Sequence, residues 1–148
     1  MADISLTQSE ADALIAMKKE RVDDAVWEFP SPGARLTIPL TSSDKRENFL
    51  LDITRSSLKL TKATYQNRVR QAIILMRLDL DGPPHRNPDD QEIPCPHLHI
   101  YREGFGDKWA IAAPPADYPD TTKLFSTFET FMIRCNIENP PDIHPGLF

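Results

Sequence analysis

Cysteine is scarce in this chain: 148 residues hold two, Cys95 and Cys135, in unlike contexts. That argues against a disulfide framework and fits a reduced, intracellular protein. Long apolar runs are missing too. Nothing approaches the roughly 18 consecutive apolar residues of a membrane helix, and the N-terminus lacks a basic region followed by an apolar one. The expectation is a cytoplasmic protein with no membrane contact. Positive charge is in deficit, with 17 Lys and Arg against 22 Asp and Glu, a net of −5. A surface generally coated for nucleic acid is thereby disfavoured, although a local basic patch stays open. There is no internal repeat, Walker loop, dinucleotide-binding glycine fingerprint, G-x-S-x-G elbow or H-E-x-x-H, and the cysteines lack zinc-finger spacing.

Proline, by contrast, is plentiful: fourteen residues gathered into a few stretches, which read as loop punctuation rather than a low-complexity tract. A composition of 40% hydrophobic and 26% charged residues predicts one globular domain over residues 1–148.

The most informative stretch runs from Pro94 to Glu103. In an extended strand alternate side chains face opposite ways, so His97, His99 and Tyr101 share one face while Leu98 and Ile100 take the other. The aliphatic pair can enter a core and leave two imidazoles and a phenol on the far side.

Elsewhere Thr7-Gln8-Ser9-Glu10 matches a capping box, and the apolar spacing behind it predicts a helix ending near Arg21–Asp24. Short alternating segments follow around Val26–Phe29, Leu36–Leu40, Phe49–Thr54 and Leu58–Thr61. The strongest is Ala72–Leu80; Lys108–Ala112 is a further strand candidate. Leu124, Phe125, Phe128, Phe131, Met132 and Cys135 recur at helical spacing within Thr121–Asn136, with Asp120 as a cap. The Pro-rich tail Asn139–Phe148 is expected along the surface. The class is α+β: a strongly twisted antiparallel sheet or half-barrel of about six or seven strands, with an N-terminal and a C-terminal helix packed on it.

Two histidines at i and i+2 on one strand face can divide acid and base work or bind a metal. A metal needs a third protein ligand. His85, Cys95, Glu103 and Asp107 are near in sequence without diagnostic spacing, so no metal or cofactor is assigned. The bland alternative is a pair of histidines bonded to loop backbone. If Ala72–Leu80 pairs with the histidine strand, Arg77 and Asp79 lie close to that face, and the His85-Arg86 loop lies at its end. Arg86 either binds phosphate or pairs with Asp89 or Asp90. Tyr101, Arg102, Lys108 and Trp109 flank the Gly104–Gly106 turn and suit base stacking and phosphate contact, or form a partly solvated hairpin.

The segments Thr64–Gln66, Met76–Leu80, Gly82–Pro88, Pro96–Glu103 and Asp107–Ala110, with Cys135–Ile137, resemble a family of small uncharacterised proteins of bacteria, their phages and mobile elements. The resemblance implies a standalone domain tied to mobile-element biology, a setting in which ribonuclease toxins and inhibitors of defence systems are common. Histidine-triad nucleotide hydrolases are excluded, because Tyr101 stands where a third histidine is needed.

Two expectations about function result. The first is a small, toxin-like ribonuclease or phosphodiesterase acting on RNA. In it His97, His99 and His85 handle protons, Arg86, Arg77 and Lys108 hold phosphate, and Tyr101, Arg102 and Trp109 contact the substrate. The second is a non-enzymatic inhibitor that binds a protein partner, an antitoxin or defence component, through Asp89, Asp90, Glu92 and Glu103.

Overall fold

The computed structural model describes residues 5–146. Thr7 opens helix α1 (Gln8–Ala16) with the expected capping box: its hydroxyl accepts from the Glu10 N–H, and Glu10 accepts from the Thr7 N–H, each at 3.1 Å. The helix is shorter than its apolar spacing predicts, because the chain turns extended at Met17 and Lys19–Arg21 form strand β1. Lys19 accounts for that stop. Only 1% exposed, it donates its ammonium to the carbonyls of Ile15, Met17 and Cys135 at 2.8–3.0 Å. The last carbonyls of a helix have no partner within it, and this one cation serves the ends of both helices.

The remaining elements are β2 (Val26–Glu28), β3 (Arg35–Ser42), β4 (Asn48–Arg55), β5 (Ala63–Val69), β6 (Ile73–Leu80), β7 (His85–Arg86), β8 (Glu92–Ile93), β9 (His97–Ile100), β10 (Ala110–Ala112), α2 (Leu124–Arg134), β11 (Ile137–Asn139) and β12 (Asp142–His144). Eight strands make one open sheet in the order β10-β9-β6-β5-β4-β3-β1-β11, antiparallel except for β1 and β11. The architecture is α+β with a large twisted sheet that does not close into a barrel.

Register sorts the two faces. Ile53, Tyr65, Leu78 and Leu98 are cross-strand neighbours, three of them fully buried and Leu98 nearly so. The aromatic stripe of α2 packs on this face, with Phe128 5.0 Å from Tyr65 between ring centres. The Tyr65 hydroxyl donates to Leu124 O at 2.8 Å. On the opposite face the same register produces two polar rows: Thr37, Asp52, Gln66, Arg77, His99 and Arg35, Thr54, Thr64, Asp79, His97.

Other sequence-based expectations need correction. Leu58 and Leu60 alternate but form no strand. The Ser56 hydroxyl accepts from the N–H groups of Leu58 and Lys59, making a turn that leaves the two leucines 93% and 70% exposed. Asp120 caps Thr122 rather than the first turn of α2, which starts at Leu124. The tail does lie largely at the surface, but it is not without structure: β11 ends at Asn139 in the main sheet, and β12 pairs with β2; Leu147 and Phe148 lie outside the described residues.

Candidate active site

The strand that carries His97 and His99 lies antiparallel beside β6, with His97 opposite Asp79 and His99 opposite Arg77. Pairing therefore delivers four chemically active side chains to one patch. His85 joins them from the loop after β6: its ring centre is 4.6 Å from that of His99 and 5.8 Å from that of His97. Three of the four histidines in the chain are thus clustered.

Asp79 is the hub. Its Oδ2 lies 3.0 Å from His97 Nε2, 3.1 Å from His99 Nε2 and 3.2 Å from Arg77 Nη2, while its Oδ1 accepts from the Thr64 hydroxyl. Burial resists the carboxylate charge, but the His99 imidazole and the Arg77 guanidinium outweigh it and hold Asp79 well below the usual carboxylate range.

The partners assign the protons. His99 Nδ1 is 2.7 Å from the Asp107 carbonyl, which can only accept, and Nε2 is 3.0 Å from Arg77 Nη2, which can only donate. Nδ1 therefore donates to Asp107, while Nε2 faces both the Arg77 donor and, at 3.1 Å, the Asp79 acceptor. His85 Nε2 donates to the Lys108 carbonyl at 2.7 Å, leaving Nδ1 bare. His97 Nε2 donates to Asp79, and its buried Nδ1 has no hydrogen-bond partner among the described residues. Burial lowers the His97 pKa against the pull of Asp79, with His99 and His85 acting in the same sense as burial, so the imidazole is neutral near pH 7 with a lone pair on Nδ1.

One oxygen of Asp79 and one nitrogen each of His97 and His99 lie within 4.8 Å of one another, a donor set that could hold a transition metal. Two observations weigh against that use. A metal at His99 Nε2 would displace the Arg77 donor, and a metal at His97 Nε2 would leave an N–H on the partnerless Nδ1. Metal-bound histidines normally donate their second N–H.

His85 and His97 open onto a cleft of about 500 Å³ whose walls include Thr54, Lys62, Thr64, Gln66, Arg77 and the Pro83-Pro84 rim. The other sequence candidates are placed differently. Arg77 is committed, with Nη1 on Asp107 at 2.6 Å and its remaining nitrogens on Asp79 and His99. Arg86 pairs with Glu92 at 2.8 Å and donates to the Asp90 carbonyl. Tyr101 does not share the histidine cleft. It is 5% exposed, and its hydroxyl accepts from Leu6 N and donates to Leu6 O. Strand β9 ends at Ile100, so alternation does not extend to Tyr101, whose N–H donates to the carbonyl of Leu75, where the β5–β6 register slips. Arg102 stacks over Trp109 at 4.1 Å on a separate cleft. Lys108 joins the cluster through its backbone carbonyl, and its side chain is exposed.

Sequence reasoning brought Asp79 to the histidine face without seeing it as the hub, and it missed Lys62. Alternation signals which way Asp79 faces, but its partners come from a strand 18 residues away.

Fold and site together define an open α+β sheet protein with a histidine–aspartate centre on its polar face. The chain belongs to the family of unknown function DUF6978, which matches residues 6–137. No curated protein and no solved structure matches it. No helix among the described residues is long and apolar enough to cross a membrane.

Proposed function

We propose that the cluster cleaves RNA phosphodiesters by metal-independent acid–base chemistry. The observation that carries the reading is His97: a neutral imidazole oriented by Asp79, with an unpartnered second nitrogen, beside a second imidazole in a polar cleft. His97 Nδ1 takes the proton of a ribose 2′-hydroxyl as that oxygen bonds to phosphorus. The bond from phosphorus to the 5′-oxygen breaks, and His85, protonated on Nδ1, donates its proton to the leaving oxygen. The products are a 2′,3′-cyclic phosphate and a 5′-hydroxyl. His99, with both nitrogens engaged, is a positioning residue that holds Arg77 and Asp79. His97 Nδ1 is shielded in the resting structure, so the rim carrying His85 must yield as substrate enters. RNA cleavage by the wild type, lost in a folded His97→Ala variant, supports the reading; equal cleavage by both removes it.

A second reading, an inhibitor that binds a protein partner, draws on Asp89 and Asp90, which lie exposed between β7 and β8 and form no ion pair among the described residues. It requires Asp89→Asn/Asp90→Asn to abolish capture of a basic partner while His97→Ala leaves capture intact.

A further inference from the structure

Of Arg68, Arg77, Lys59 and Lys62 around the polar face, which also carries Arg35 on β3, three are already neutralised. Arg68 forks onto Asp52 through Nε at 2.6 Å and Nη2 at 2.9 Å. Arg77 is divided between Asp79 and Asp107. Lys59 holds Asp81 at 2.9 Å, and Asp81 also accepts from the Thr61 hydroxyl. Lys62, immediately before β5, is the exception. It lines the histidine cleft, and among the described residues it has no carboxylate within ion-pair distance. Across the cleft Thr54 offers a hydroxyl.

We infer that Lys62 is the anion-binding residue of this cleft and that its ligand is a phosphodiester of a single-stranded nucleic acid. The inference rests on the proposed function for the class of ligand and deepens it by naming the group that holds the phosphate. Arg77 is shared by two carboxylates, so Lys62 brings the cations Arg68, Arg77, Lys59 and Lys62 level with Asp52, Asp79, Asp81 and Asp107, and of these four cations only its ammonium is in no ion pair among the described residues, in a protein of net charge −5. One such charge suits the single negative charge of a diester better than a monoester dianion, which Asp79 would repel more strongly. It also supplies the clamp that the sequence assigned to Arg77, Arg86 and Lys108.

The test separates binding from cleavage with a short single-stranded oligodeoxynucleotide, which lacks the 2′-hydroxyl and cannot be cut by the proposed route. Binding is followed by fluorescence anisotropy over a range of salt. Lys62→Met should weaken binding about fivefold and reduce the slope of log affinity against log salt by about 0.7. Lys62→Arg should retain most of the affinity. Lys59→Met, which removes a lysine of the same loop that is paired outside the cleft, should stay within about twofold of wild type. Inorganic phosphate should compete only weakly. Equal binding by wild type and Lys62→Met overturns the inference, as does an equal loss in Lys59→Met, which would mean general surface electrostatics. Lys62-dependent binding by a protein that never cuts RNA keeps this site and removes the catalytic reading. RNA cleavage combined with Lys62-independent binding does the reverse.

Discussion

Asp79 and His97 face each other directly across β6 and β9, and the carboxylate of one holds the imidazole of the other at 3.0 Å. The same oxygen meets His99 and Arg77, so a single side chain fixes the tautomer of the proposed base and the position of its neighbours. Replacing it tests both functions at once. Asp79→Asn keeps the volume and removes the charge. It should lower RNA cleavage at least about a hundredfold and lower stability by roughly 1–3 kcal/mol, because half-buried Arg77 loses one of its two carboxylates. Cleavage assays and urea titration measure the two effects; unchanged cleavage would remove Asp79 from the mechanism.

His99 and His97 should separate in their effects. His99→Gln takes a partner from the Asp107 carbonyl and from Arg77, so it should destabilise the protein by about 2 kcal/mol. As a positioning residue it should cost cleavage less than His97→Gln does, and the residual rate should keep the wild-type product. A His99 variant that folds normally and is as inactive as the His97 variant would reverse their roles.

Asp52 adds to the acid dependence of the polar face, beside Asp79. Burial opposes its charge, and the bonds from Arg68, Gln66 and Thr37 outweigh burial, so its pKa lies below the ordinary 3.8. As pH falls the unfolded chain takes up this proton first. The stability Asp52 contributes is fully present above 3.8 and is lost as pH falls through the folded value. Urea midpoints measured from neutral to acid pH should therefore fall less steeply in Asp52→Asn than in wild type. Parallel curves would show that Asp52 contributes nothing to acid unfolding.

Lys19 should be a stability residue with no role in the cleft. Lys19→Met leaves three backbone carbonyls at the helix ends without their donor and should cost roughly 2–4 kcal/mol in urea or thermal unfolding. Oligonucleotide affinity should be unchanged at a temperature where the variant is folded.

The sequence was readable where one rule sufficed. Alternation over Met76–Leu80 and His97–His99 matches the faces observed, and the helical spacing of Phe128 and Phe131 located α2, but the slip at Leu75 puts Ile73 rather than Ile74 on the core side, and Ile100 is 37% exposed. It failed where a second segment decides the outcome. Tyr101 obeys alternation on paper, yet it lies beyond the end of β9 and is buried with its hydroxyl bonded to Leu6. Arg77 reads as a free cation, and Arg86 as one that holds phosphate or pairs with Asp89 or Asp90, because their carboxylates, on Asp107 and Glu92, arrive only with the fold. Strands β1 and β11, three residues each, are too short to show periodicity and are paired by the meeting of the two ends of the chain.

The most direct measurement is product analysis. Purified protein is incubated, with a chelator present, with an RNA oligonucleotide and with the same oligonucleotide carrying a single 2′-deoxy substitution at the cut site, and the fragments are weighed by mass spectrometry. We expect a 2′,3′-cyclic phosphate and a 5′-hydroxyl from the RNA, no cut at the deoxy position, and no cleavage by folded His97→Ala or His85→Ala. Cleavage that needs an added metal, that proceeds at the deoxy position, or that survives both substitutions would contradict acid–base catalysis at this cluster.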